Sequence, residues 1–248
     1  QGLNVEAGMR LAPHARLAVV TPSHQYPLGV AMSLQRRLAL LDWAEREDAW
    51  IVEDDCDGDY RYAGRPLHPL RALGRPSAAN RVVYVGTFAK VLAPGLRIGF
   101  LIAPPGLADA FTHARALVDR QSPTPLQITL AEFIGAGHLA THLRRMRVLY
   151  AERRAALLAA LERYCADVLD WGAVPDAGLH LTARLRNALT PNADLAVWEA
   201  GAALGLQTSP LSPHYRAGGE AGLVIGFAAT RPGRMGEAAR LLRRAIVG

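Results

Sequence analysis

The stretch GTFAKVLAPGLRIGF, residues 86–100, carries Lys90, which is the only lysine among the 28 basic residues of the chain. Only lysine can form a Schiff base, because an amine can lose its proton and attack a carbonyl whereas a guanidinium stays protonated. Thr87 precedes Lys90, and Arg97 follows it beyond a Pro-Gly turn. These groups could bind an aldehyde and a phosphate of one ligand, since the planar guanidinium suits phosphate. A leftover surface lysine in an ordinary polar turn is the alternative.

Apolar runs alternate with helical patterns through the first half of the chain. The runs are 17–20, 50–52, 81–86 and 96–102, and a helix is predicted between the first two, over 31–47. Continuous apolar runs with helices between them are typical of a mostly parallel α/β sheet that is covered on both faces. In such a sheet, functional groups lie at the carboxyl ends of the strands.

The pattern changes in the second half of the chain. Helices are predicted over 108–120, 125–137 and 139–161, and the last of these is long and amphipathic. Shorter strands and helices follow, at 168–171, 179–185, 194–204, 223–227 and 234–246. We therefore expect a large domain over residues 1–137. Residues 138–248 would form a long linking helix and a smaller α+β C-terminal domain.

Composition excludes several classes of protein. Half of the residues are apolar and 20% are charged, which predicts a globular chain and not a disordered one. The sequence has no apolar run that could span a membrane and no visible signal peptide, so a cytoplasmic protein is expected. The only two cysteines, Cys56 and Cys165, have no disulfide framework or zinc spacing. The net charge of +6 comes from dispersed arginines, which indicates solvated helix faces more than an anion-binding tract.

Five carboxylates crowd into the segment EDDCDGD, residues 53–59, directly after the second apolar run. A calcium loop is rejected, because Tyr60 and Pro66 stand where an EF-hand needs glycine and glutamate. A magnesium site stays open as a minor alternative. The simpler interpretation is one buried carboxylate that faces a cation, with the others solvated. Such a carboxylate keeps a pyridine nitrogen protonated, as an electron-sink cofactor requires.

A third loop, TPSHQYPLG at residues 21–29, follows the first apolar run. His24 and Gln25 either line a site at this strand end or are ordinary polar loop residues. The loops at 21–29, 53–62 and 86–100, together with HLRRMRVLYAERR at 142–154, resemble the fold-type I pyridoxal 5′-phosphate (PLP) aminotransferases. They are most similar to the aminotransferase-like domain of MocR-type regulators in the GntR family.

This resemblance implies roles for the candidate residues. Lys90 would form the internal aldimine with the PLP aldehyde, and Asp54 would pair with the pyridinium nitrogen. Arg97, helped by Thr87, would bind the phosphate. The loop that carries His24 and Gln25 would approach the ring, in a role that the resemblance does not define.

Two positions depart from the family pattern. Cys56 stands where the family usually has a tyrosine whose phenol bonds the ring hydroxyl, and a thiol is a shorter and weaker donor. PLP would then bind less tightly, or a water would replace the phenol. The strand LVIGF at 223–227 contains no arginine, although related aminotransferases often place a carboxylate-binding arginine there.

The resemblance also implies a longer parent protein. A winged helix-turn-helix and the first part of the PLP domain would precede Gln1, so residues 1–137 would be a partial PLP-binding domain. DNA would be bound only through that N-terminal winged helix, which is not in this chain. The predicted function is an effector-sensing domain in which an amine or amino acid exchanges onto PLP, within a homodimer. A stand-alone aminotransferase and a PLP-free dimerisation remnant are the alternatives.

Overall fold

The structure is a computed structural model, and it describes residues 1–56, 58–74, 76–188, 190 and 192–248. The chain divides into two compact units. The first unit comprises Gln1–Tyr26 and Val30–Arg144, and the second comprises Pro27–Gly29 and Arg145–Gly248. In the described ranges, no helix is both long enough and apolar enough to cross a membrane.

The first unit contains a four-stranded sheet. Its strands are hydrogen-bonded in chain order and are β1 (Leu17–Val20), β2 (Trp50–Asp54), β3 (Val82–Thr87) and β4 (Gly99–Ile102). β2 pairs in parallel with both β1 and β3, whereas β4 runs antiparallel to β3. The sheet is therefore mixed and mostly parallel.

Among the residues that the structure describes, six α-helices lie within this unit, and a seventh begins in it. They are α1 (Val5–Leu11), α2 (Leu34–Arg46), α3 (Leu70–Leu73), α4 (Pro76–Ala79), α5 (Ala108–Val118), α6 (Thr124–Gly135) and α7 (His138–Cys165). The Ser33 hydroxyl caps α2 by accepting a hydrogen bond from the Arg36 amide at 3.4 Å. Leu40, Leu41 and Ala44 of α2 belong to the core that also contains residues of β2 and β3. Each fully buried leucine contributes about 1.5–3 kcal/mol relative to an exposed one.

The described residues of the second unit contain an antiparallel sheet and three α-helical segments. The strands β5 (Leu169–Asp170), β6 (His180–Leu185), β7 (Ser209–Pro210) and β8 (Gly222–Gly226) lie in the order β5-β6-β8-β7. The helices are the part of α7 from Arg145 onward, α8 (Ala193–Ala203) and α9 (Met235–Val247). This is the α+β pattern expected from the C-terminal sequence.

The predicted fold class is confirmed, with local differences that have physical causes. β4 begins at Gly99 and not at Leu96, because a 3-10 turn over Pro94–Leu96 is followed by Arg97 in the left-handed region, at φ 49°. β2 continues to Asp54, so Glu53 and Asp54, the first two residues of the acidic segment, lie in the strand and not in the loop. The helix α1 was not expected from the sequence pattern.

Candidate functional site

Three strands of the first sheet end at the same edge. β1, β2 and β3 are parallel, so their carboxyl ends point in one direction. β2 ends at Asp54, β3 ends at Thr87, and the loop after β1 carries His24. Ligands of open α/β sheets bind outside the carboxyl ends of such strands. The sheet therefore brings the three predicted loops to one edge.

Asp54 and Cys56 are in direct contact at the end of β2. Both side chains are half-buried, and the Cys56 thiol donates a hydrogen bond to Asp54 Oδ1. A donor on one oxygen restricts the orientation of the carboxylate. Asp54 can then present an oriented negative charge to a cationic ring nitrogen.

The fully buried acid of the acidic segment is Glu53 and not Asp54. The Glu53 side chain accepts hydrogen bonds from the backbone amides of Leu70 at 2.9 Å and Arg71 at 3.5 Å. Burial raises the pKa of Glu53 to about 7, although the two amides and Arg37 oppose that shift. The sequence thus predicted that one carboxylate in this segment would be buried, and the structure assigns that position to Glu53.

The described residues of the acidic segment form no group that could hold a metal ion. Asp55 accepts a hydrogen bond from the Tyr84 hydroxyl at 2.9 Å, and burial together with this carboxylate raises the pKa of Tyr84. Asp57 lies outside the described residues. Among the residues that are described, no three His, Cys, Asp or Glu side chains are grouped closely enough to hold a metal ion.

Lys90 and Arg97 both lie in the connection between β3 and β4. The connection is closed by a hydrogen bond from the Phe88 amide to the Ile98 carbonyl at 3.0 Å. The Thr87 hydroxyl accepts from the Ala89 amide at 3.1 Å, which turns the chain directly before Lys90. The Lys90 and Arg97 side chains are exposed at the edge of the sheet.

The backbone after Lys90 is held by two aromatic side chains. The hydroxyl of Tyr60, which is fully buried, donates to the Val91 carbonyl at 3.3 Å. The His142 ring lies 3.0 Å from the same oxygen through Nε2. Tyr60 belongs to the quoted loop at 53–62 and His142 to the quoted segment at 142–154, so two of the quoted motifs position the lysine turn.

The loop after β1 is ordered by its own backbone. His24 is buried, and the Gln25 amide donates to the Val30 carbonyl at 3.0 Å in an isolated bridge. The Met32 amide donates to the Pro22 carbonyl at 2.8 Å, which closes the loop. His24 and Gln25 thus lie in the loop that follows the carboxyl end of β1.

Comparison with known proteins identifies the family. The aminotransferase class I and II family matches residues 4–215. The chain belongs to this family. It is 44% identical over 238 residues to the probable rhizopine catabolism regulatory protein MocR of Rhizobium meliloti, which covers 95% of this chain and 46% of that protein. It is 36% identical over 227 residues to the HTH-type pyridoxine biosynthesis transcriptional regulator PdxR of Corynebacterium glutamicum. That match covers 90% of this chain and 47% of the regulator.

Solved aminotransferases share the fold. Kynurenine aminotransferase of Pyrococcus horikoshii, in complex with PMP, gives a TM-score of 0.86 at 28% identity and covers 99% of this chain and 61% of its own. LysN, the α-aminoadipate aminotransferase of Thermus thermophilus, complexed with N-(5′-phosphopyridoxyl)-L-leucine, gives 0.87 at 26% identity and covers 98% and 62%. The chain thus spans about half the length of its curated relatives. The MocR-type resemblance is confirmed, and PLP is confirmed as the cofactor of this family and fold.

The residues at the sheet edge of this aminotransferase-family chain fit PLP chemically. An exposed amine suits the aldehyde, and a half-buried carboxylate at a strand end suits the ring nitrogen. An exposed guanidinium and a hydroxyl in the same connection suit the phosphate. The amine belongs to Lys90 and the carboxylate to Asp54. The guanidinium belongs to Arg97 and the hydroxyl to Thr87.

The sequence interpretation missed three residues that hold this edge together. Tyr60 lies in a quoted motif, but its contact with the lysine turn could not be read from spacing. The sequence could have indicated that Glu53 is buried, because Glu53 lies on the same strand face as the buried Ile51. No sequence pattern indicated the burial of Arg37, since its hydrogen-bond partners come from distant parts of the chain.

Proposed function

We propose that this chain is the effector-sensing domain of a transcription regulator and that PLP binds at the edge formed by β1, β2 and β3. Similarity to two regulators over 90% or more of the chain supports the regulatory role. The observation that carries the proposal is the position of Lys90, the single lysine, in the turn that follows β3.

Each polar group at the edge has a task in this proposal. When bound, PLP supplies an aldehyde for covalent attachment and a ring that withdraws electrons from an attached amine. The Lys90 amine is the attachment point. Asp54 holds a proton at the ring nitrogen, and the Cys56 thiol keeps the Asp54 carboxylate in one orientation. Arg97 and Thr87 bind the phosphate.

The regulatory step is a competition between amines. An effector amine or amino acid would compete with the Lys90 amine for attachment to the PLP aldehyde, and the Lys90 side chain would then be unattached. A ligand shifts a conformational equilibrium only by the difference between its affinities for the two states. The effector must therefore make contacts in one conformation of the domain that it does not make in the other. We propose a homodimer that binds DNA through a winged helix outside this chain.

A stand-alone aminotransferase is the second candidate. The chain is 36% identical over 170 residues to aromatic-amino-acid aminotransferase 1 of Thermococcus litoralis, which covers 68% of this chain and 40% of that protein. In an aminotransferase, Lys90 would also carry a proton to and from the substrate α-carbon. Release of keto acid over many turnovers would favour this candidate over the sensor.

The single lysine allows a direct test of cofactor attachment. Borohydride treatment of the protein incubated with PLP should fix one phosphopyridoxyl group, and peptide mass spectrometry should locate that group at Lys90. Visible absorbance should change when amines displace Lys90. The panel should include amines that lack a carboxylate, because β8 contains no arginine that would favour an amino acid.

Lys90→Arg is the matched control, because it keeps the charge and removes the nucleophilic amine. The variant should show no label beyond background at the chain terminus. Equal labelling of the wild type and Lys90→Arg would contradict the proposal and leave the PLP-free dimerisation module as the better interpretation.

A further inference from the structure

Two charged side chains of the first unit are buried next to the candidate site. Arg37 of α2 is 2% exposed, and Glu53 of β2 is 0% exposed. Burying a charge is costly unless hydrogen bonds compensate for the lost water. Both residues make such bonds: Arg37 bonds to the loop after β1, to Met32 and to the segment that leads into α3, and Glu53 bonds to the start of α3.

Arg37 connects three separate parts of the chain. Its guanidinium donates to the carbonyls of Met32 at 2.8 Å, Pro22 at 2.7 Å and His68 at 2.8 Å. Pro22 lies two residues before His24, in the loop after β1. The rigid guanidinium fork therefore ties this loop to the segment that leads into α3.

Glu53 connects the same segment to the end of β2. Its carboxylate accepts from the amides of Leu70 and Arg71, at the start of α3. Successive side chains of a strand point to opposite faces, so Glu53 and Asp54 occupy opposite faces of β2. Glu53 can thus fix the backbone of Asp54 from the face opposite to the carboxylate that would meet the cofactor.

We infer that Arg37 and Glu53 are positioning residues of this site. Arg37 holds the loop that carries His24 and Gln25, and Glu53 holds the start of α3 against the end of β2. Their relation to PLP rests on the proposed function. Their effect on the loops does not, and can be measured without cofactor.

The Glu53 anchor should respond to pH. Its pKa is raised to about 7, mainly by burial, so opening the segment into water would return the carboxyl group to an ordinary pKa. The closed form therefore prefers protonated Glu53, and closure weakens as pH rises towards 7. The charged and titratable groups around it are Arg37 of α2, Asp54 and Asp55 of β2 and its end, Arg71 of α3 and Tyr84 of β3.

Amide hydrogen exchange of the cofactor-free protein tests the anchor. Between about pH 6 and about pH 8, and after correction for intrinsic exchange, opening at the amides of Leu70 and residues 23–25 should increase about tenfold in the wild type. Glu53→Gln, which mimics the neutral acid, should remove this increase. The exposed Glu132→Gln should retain it and controls for the lost charge.

Binding of pyridoxamine 5′-phosphate, which has no aldehyde to react with Lys90, tests the link to the cofactor. Glu53→Ala should bind about tenfold more weakly, because two buried amides lose their acceptor, and Glu53→Gln should restore affinity to within about twofold. Equal exchange in the wild type and Glu53→Gln at both pH values would overturn the inference, as would unchanged affinity in Glu53→Ala. If no variant binds the probe, the proposed cofactor site fails, and the exchange result alone decides the inference.

Discussion

Neighbouring carboxylates of β2 have opposite surroundings at the scale of single residues. Glu53 is fully buried and bonded to two backbone amides, whereas Asp54 is half-buried and bonded to a thiol. The alternation of side chains along a strand separates them onto two faces. One strand end therefore supplies a structural anchor on one face and a candidate cofactor contact on the other.

Stability should depend on pH through Glu53. Its pKa is about 7 in the folded chain, above the ordinary 4.5, so the folded state holds a proton that the unfolded state releases earlier. The stabilising contribution is complete below about pH 4.5 and is lost as pH rises through about 7. The difference amounts to about 3 kcal/mol in the free energy of unfolding.

Urea unfolding at a series of pH values measures this contribution. The free energy of unfolding of the wild type should fall relative to that of Glu53→Gln across the stated range. Glu132→Gln, on the exposed surface of α6, should follow the wild type. Parallel curves for the wild type and Glu53→Gln would show that the folded pKa of Glu53 is not raised.

At the scale of elements, α2 shows that apolar periodicity can predict a helix without predicting which of its residues are buried. Leu34, Leu38, Leu41 and Ala44 stand at helical spacing in the sequence and all lie in α2, but Leu34 is 58% and Leu38 is 41% exposed. Arg37 is buried in their place. Its burial depends on carbonyls that only the folded chain brings near, and no local pattern contains that information.

The strand ends were predictable for the opposite reason. Continuous apolar runs identified the parallel strands, and parallel strands necessarily end at one edge. That rule placed the loops of His24, Asp54 and Lys90 together without any knowledge of distances. The rule could not predict the left-handed backbone conformation of Arg97 or the contact of Tyr60 with the lysine turn, because both depend on tertiary packing.

Asp194 is the corresponding buried acid of the second unit. Its Oδ2 accepts from the amides of Leu211 at 2.8 Å, Ser212 at 2.7 Å and Gly222 at 3.2 Å, and so joins the first turn of α8 to the residues directly after β7 and to β8. Asp194→Ala would leave three buried donors without this acceptor. We expect a loss of about 3–5 kcal/mol in the free energy of unfolding.

Thermal and urea unfolding would measure the loss. Glu199→Ala, an exposed acidic position on the same helix, should change stability by less than about 0.5 kcal/mol and controls for the removed charge. Asp194→Asn keeps an acceptor oxygen and should lie between the two. A loss in Asp194→Ala no larger than that in Glu199→Ala would show that the three contacts do not support the second unit.

The whole molecule presents apolar surface on its first unit. β1 and β4 are the outer strands of the described sheet, and all four residues of β4 are exposed. Leu117 and Val118 of α5 are more than 80% exposed. Large exposed apolar patches mark interaction surfaces or aggregation hazards, and an exposed strand edge is a template for pairing.

Self-association of the 248-residue chain should therefore depend on the β4 edge. Leu101 is 46% exposed on β4, and Leu101→Lys places a charge on that strand, a device that natural sheets use to block edge pairing. Sedimentation velocity should show less association for this variant than for the wild type across a concentration series. Val118→Lys adds the same charge at an 81% exposed helix position and should have a smaller effect. Equal suppression by both variants would assign the effect to net charge, because only one of them alters a strand edge.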